Sequence, residues 1–90
     1  MKKEALKLII EEKALVRLLK TIDNEVFDTR ELLNELGEYG YGHKLLLKAD
    51  KLGLVERRKV KPNGKGNWRI SNKLSNKGKE VIKLAKEIGV

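Results

Sequence analysis

Ninety residues make one small domain, a single unit over residues 1–90, and with no Cys and one His it has neither disulfide staples nor the ligands for Cys/His zinc or iron–sulfur centres. A domain of this size buries only about 60–65% of its unfolded surface, so a second copy of the chain is the natural source of further buried area. The net charge of +8 is lopsided: residues 1–38 hold 7 Lys/Arg and 9 Asp/Glu, a net of −2, whereas residues 39–90 hold 14 and 4, a net of +10, an imbalance that points to a polyanion partner, most often nucleic acid.

The opening stretch, MKKEALKLIIEEK, has an apolar run too short for a secretory signal and broken by Glu11, Glu12 and Lys13. No segment approaches a membrane span. A soluble, cytoplasmic, nucleoid-associated protein is expected. Gln is absent while Lys, Glu, Leu and Ile are abundant, a mix that leans toward thermophiles.

Residues 3–21 are predicted as one helix, free of Gly and Pro. Its apolar residues form three stripes, through Leu8, Leu15, Leu18, Leu19 and Ile22, through Ala5, Ile9 and Val16, and through Leu6, Ile10 and Ala14. One stripe of about 100° is enough to face a core. The excess predicts dimerisation through residues 1–22, with Leu6, Leu8, Ile9 and Leu15 at the interface, joined by Ile82 from the last helix.

Val26 and Phe27 read as a short strand. DTRELLNELG then has Asp28 as cap and Glu31 three residues on, a capping box. Leu32, Leu33 and Leu36 give the buried side, and Gly37 stops the helix. A turn, EYGYG, leads into HKLLLKADKL, where Leu45, Leu46, Ala49 and Leu52 share one face. Gly42 lies on that face, one turn earlier, and admits close approach of the preceding helix. Two short helices joined by a Gly-containing turn, over residues 28–53, make a helix-turn-helix. LVERRKV and NWRISNKL read as strands around KPNGKG, a hairpin over residues 54–74. Trp68, Ile70, Asn72 and Leu74 alternate with Arg69, Ser71 and Lys73, which assigns Trp68 to the core. Ser75 caps a last helix over residues 75–88 with Val81, Leu84, Ala85 and Ile88 on one face. The expected class is mainly α with a small antiparallel β-hairpin, in the order α-β-α-α-β-β-α.

This order, with TRELLNELG, LLKADKLGLVERR and LSNKGKEVIKLAKE at their places, resembles the winged helix-turn-helix domains of prokaryotic, in particular archaeal, transcription regulators of the MarR-like and ArsR-like kinds. The likeness covers most of residues 20–88. It implies that the second helix of the pair enters the major groove and that the hairpin wing lies along the backbone or minor groove.

On that basis RRKVKPNGKGNWRI is a wing: from Arg57 to Lys65 five of nine residues are Lys or Arg, with no acid among them. Expected wing contacts are Arg57, Arg58, Lys59, Lys61, Asn63, Lys65 and Arg69. A phosphate-binding loop fails on spacing, because Gly-Lys is followed by Gly and lacks the earlier Gly. Expected recognition-helix contacts are Tyr41, His43, Lys44, Leu47, Lys48 and Lys51. His43 either donates to a phosphate or base edge or stands as an exposed or capping residue; Tyr41 is assigned to DNA and Tyr39 to packing. No catalytic constellation, metal site, cofactor or small-molecule site is legible. The expected function is a transcription regulator that binds double-stranded DNA as a homodimer. The alternatives are an RNA- or ribosome-associated winged helix and a non-specific nucleoid protein.

Overall fold

The computed structural model describes residues 2–61 and 66–90. Among the described residues, five helices and three short strands follow in the order α1 (Lys2–Glu11), α2 (Lys13–Ile22), β1 (Phe27–Asp28), α3 (Thr29–Leu36), α4 (Gly40–Lys51), β2 (Val55–Val60), β3 (Arg69–Leu74) and α5 (Asn76–Glu87).

The long first helix expected from the sequence is two helices. Glu12 leaves helical geometry at φ −121°, ψ 59°. Neither Gly nor Pro causes this break. The buried residues of α1 are Ala5 and Ile9, and those of α2 are Leu15, Val16, Leu18, Leu19 and Ile22. At 100° per residue, a straight helix would hold the first pair roughly a quarter-turn away from the middle of the second set. The bend turns both onto one core, with α1 packed on α2 and α5. That corrects the expected interface. Ile9, Leu15 and Ile82 are buried in the chain's own core, and Leu8 packs against it. The apolar residues still exposed on α1 are Leu6, at 36%, and Ile10, at 67%.

α3 forms as its sequence dictates. The Glu31 N–H donates to Asp28 Oδ1 at 2.8 Å, and the Asp28 N–H reaches back to Glu31 Oε1 at 3.4 Å, so two otherwise orphaned donors are satisfied. Gly37 ends the helix in the left-handed region at φ 79°. α4 begins at Gly40, three residues earlier than expected, which draws Tyr41 and Gly42 into its first turn. A Cβ on Gly42 would stand 3.0 Å from Leu33 Cδ2 and from Leu36 Cδ2, so the bare Gly sets how closely α4 approaches α3.

The sheet is three-stranded and antiparallel, in the order β1-β3-β2. The hairpin is as expected, and β1 adds a third strand to it, pairing Phe27 with Asn72 and Asp28 with Ser71. On the wing side Val55 pairs with Leu74, Arg57 with Asn72 and Val60 with Arg69. The inward alternation holds for Ile70, Asn72 and Leu74 but fails for Trp68, which is 62% exposed. Trp68 precedes β3, beyond the last paired residues, where nothing of the body covers that face.

α5 starts against the α4–β2 junction. The Ser75 hydroxyl donates to the Gly53 carbonyl at 2.6 Å, and the Ser75 N–H to the Leu54 carbonyl at 3.0 Å. Lys77 Nζ donates to the Leu52 carbonyl at 3.1 Å and to Glu4 at 3.0 Å. A Cβ on Gly78 would fall 2.1 Å from the Leu54 oxygen. The two segments LGLVERR and LSNKGKE therefore form one lock, which fixes how the last helix meets the base of the wing. Within α5, Val81, Ile82 and Ala85 are buried, whereas Ile88 is exposed beyond the helix end.

Candidate nucleic-acid interface

α4 is held from behind. Gly42, Leu45, Leu46 and Ala49 are buried against the body, which leaves Tyr41, His43, Lys44, Leu47, Lys48 and Lys51 exposed on the remaining arc. Lys48 is committed in part, since its ammonium pairs with the Glu12 carboxylate at the α1–α2 break. Tyr39 is also exposed, against the packing role expected for it. It stands just ahead of α4, and its side chain makes no capping hydrogen bond.

The wing's cations fall into two groups. On β2 the inward face runs Val55, Arg57, Lys59, and its burial fades from buried through half-buried to exposed as the strand leaves the body. Arg57 is held at the base: its Nε donates to Asn72 Oδ1 at 2.8 Å, and a terminal nitrogen donates to the Thr29 hydroxyl at 3.3 Å. Asn72, fully buried at the centre of the sheet, donates from its amide nitrogen to the Phe27 carbonyl and to the Thr29 hydroxyl, each at 3.1 Å. Among the described residues no buried side-chain polar atom lacks a partner. Arg57 is thus tied to the base of the wing through two of its guanidinium N–H groups. Arg69 pairs with Asp28 at 2.9 Å. The Asp28 carboxyl is held below the ordinary carboxylate range, first by the Glu31 N–H; burial opposes this, and Arg69 reinforces it.

Arg58 and Lys59 project exposed, and Lys61 Nζ stands 6.0 Å from the centroid of the Trp68 ring. Asn63 and Lys65 lie outside the described residues. Wing and helix-turn-helix share an open cleft of about 600 Å³. Among the residues lining it are Arg30 from α3, His43 from α4, Arg57 from β2, and Trp68 and Arg69 from the second arm of the wing. The cleft therefore brings together His43, Arg57 and Arg69 among the expected contacts. It does not include Tyr41, Lys44, Leu47, Lys48 or Lys51, which lie elsewhere on α4.

Trp68 and Arg30 line the cleft without being among the contacts expected from the sequence. Strand alternation places Trp68 in the core, whereas the structure leaves it exposed. Arg30 carried a usable signal: a cation in the first turn of a helix opposes the macrodipole, so helix stability does not explain it.

No protein-family model matches the chain, and no curated protein matches it. Among solved structures, the chain is similar to the crystal structure of a candidate transcriptional regulator of the MarR family from Porphyromonas gingivalis W83. The match has a TM-score of 0.74 at 16% sequence identity and covers 96% of this chain and 82% of that one. The fold is a winged helix-turn-helix. Within it α3 and α4 are the helix pair, and β2 and β3 are the arms of the wing. Among the described residues no helix is long and apolar enough to cross a membrane, and no group of three or more His, Cys, Asp or Glu is placed to hold a metal.

Proposed function

We propose that the chain is a DNA-binding transcriptional regulator that engages duplex DNA as a homodimer, with α4 in the major groove and the wing on the backbone or minor groove. The observation that carries this reading is the division of α4. One arc is locked to the body through Gly42, Leu45, Leu46 and Ala49, and the other offers Tyr41, His43, Lys44, Leu47, Lys48 and Lys51 to solvent. That is the arrangement a helix needs in order to lie in a major groove. The +10 balance of residues 39–90 supplies the counterion-releasing contacts that dominate affinity for DNA. Leu6 and Ile10, exposed on α1, are the surface through which two copies would meet.

The test separates affinity from preference. A duplex is selected from a random pool, and Tyr41, His43, Lys44, Leu47 and Lys48 are each replaced by Ala. A bidentate base contact discriminates by about 1–3 kcal/mol, whereas a phosphate contact discriminates little. At least one of the Tyr41, His43 and Lys44 variants should therefore lower the ratio of affinities for the selected and a scrambled duplex several-fold. Equal losses on both duplexes for all five would reduce the protein to a general nucleic-acid coater. Light scattering of the wild type and of Leu6→Glu/Ile10→Glu tests the dimer; a wild type that is monomeric at high micromolar concentration contradicts it.

A further inference from the structure

We propose that Trp68 is a nucleic-acid contact, its ring packing on the sugar-phosphate strand of duplex DNA that passes between α4 and the wing. The inference rests on the DNA-binding reading above and adds to it a residue whose chemistry is not cationic.

Trp68 is the only Trp in the chain and stands 62% exposed. A large aromatic left in water forgoes the burial that such a side chain normally gains. Neither of the structural duties within reach is assigned to it. It lies before the first residue of β3 and beyond the last cross-strand pair, Val60 with Arg69, so it contributes to neither the sheet nor the core. The core face of the same strand is completed by Ile70, Asn72 and Leu74 without it.

What surrounds the ring is positive. Lys61 Nζ lies 6.0 Å from its centroid, the range in which a cation is attracted to an aromatic face. Arg30 and His43 line the same cleft. Arg69, the next residue, is paired with Asp28, which among the described residues is the one acid lining the cleft and is therefore neutralised there. An aromatic plane beside Lys and Arg side chains suits a chain of alternating phosphate and sugar: the cations meet the phosphates, and the ring covers the apolar faces of the sugars between them. The cleft opens between the recognition helix and the wing, so a strand whose neighbouring groove is filled by α4 would run past it. Such a contact is indifferent to base identity and strengthens all duplexes alike.

The sole Trp is its own reporter. Binding is followed independently through the anisotropy of a dye on the DNA, while Trp68 emission and its quenching by acrylamide are recorded in the same titration. With a saturating duplex, collisional quenching of Trp68 should fall several-fold. Trp68→Ala should weaken the selected and the scrambled duplex equally, by several-fold, as expected for loss of a partly buried apolar contact, and Trp68→Phe should recover most of that loss. Because the residue is exposed, both variants should retain the wild-type circular dichroism and melting temperature. If the dye reports binding while Trp68 stays as open to acrylamide as in the free protein, the inference is overturned and the DNA-binding reading stands. A loss confined to the selected duplex would also overturn it, by making Trp68 a reader of sequence. If no duplex binds at all, the DNA-binding reading fails and the inference fails with it.

Discussion

Arg57 and Arg58 are neighbours on one strand with the same charge, and they belong to different parts of the molecule. Arg57 faces inward at the base of the wing and is tied to Asn72 and Thr29. Arg58 faces the other way; its backbone carbonyl accepts from the Ser71 hydroxyl, and its side chain stands in solvent. The base is a sheet joint, in which β3 is bonded on both sides and its central Asn72 satisfies neighbours from β1, β2 and α3. The outer part, with Arg58, Lys59, Lys61 and Trp68, has few partners within the chain. Strand parity and distance from the body, more than residue type, therefore separate the cations that build the wing from those it presents.

This division can be broken from the structural side first. Gly78→Ala should have the largest effect, because its Cβ would meet the Leu54 backbone oxygen at 2.1 Å and no side-chain rotation relieves it. The α5 start must shift, and overpacking costs about 1–3 kcal/mol, with the upper end expected for a clash with backbone. Urea unfolding would read it as a lower midpoint, and an unchanged midpoint would mean that α5 does not lock the base of the wing. Asn72→Leu comes next. It removes the Asn72 amide from the Phe27 carbonyl, the Thr29 hydroxyl and the Arg57 Nε. A cost of about 2–3 kcal/mol is expected, or about 10–20 °C in melting temperature for a domain of this size. Arg58→Ala should leave the unfolding free energy within about 0.5 kcal/mol of wild type, as exposed substitutions do.

The smallest effect sharpens the account at the joint between β1 and α3. Asp28 titrates below its ordinary value in the folded chain because the Glu31 N–H and then Arg69 favour its charged form, against the opposing effect of burial. A depressed folded value means that the stabilisation is complete above the unfolded value and is lost as the pH falls through the folded one. Asn caps helices as well as Asp does, so Asp28→Asn isolates the charge. The variant should be less stable than the wild type at neutral pH, by about 0.5 kcal/mol, and the gap should close as the pH drops beneath the usual carboxylate range. A gap independent of pH would assign it to geometry instead.

Much of this was legible because it is local. The capping box at Asp28 and Glu31, the stop at Gly37, the buried Leu32, Leu33 and Leu36, and the small residue at Gly42 all act within a turn or two, so spacing alone reveals them. The bend at Glu12 was not legible: it follows from where α5 sits, and no residue near position 12 announces it. The same holds for Gly78, whose need to be bare is set by a carbonyl 24 residues earlier in the chain. Arg57 and Asn72 read as a wing cation and an alternating strand residue, since their bond depends on the register of two strands. Trp68 misled because alternation says which way a side chain points, and says nothing of whether anything lies there to cover it.

The most direct measurement is the salt dependence of DNA binding for the two halves of the wing. A labelled duplex is titrated over a range of salt with the wild type, with Arg57→Met, and with Arg58→Ala/Lys59→Ala/Lys61→Ala. Each phosphate contact contributes about one unit to the slope of log K against log salt. The triple variant should flatten that slope by about two to three units, whereas Arg57→Met, which is destabilised but folded, should keep it. An unchanged slope in the triple variant, or an Arg57→Met slope that falls as far as the triple variant's, would contradict the division of the wing into a structural base and a nucleic-acid-binding outer part.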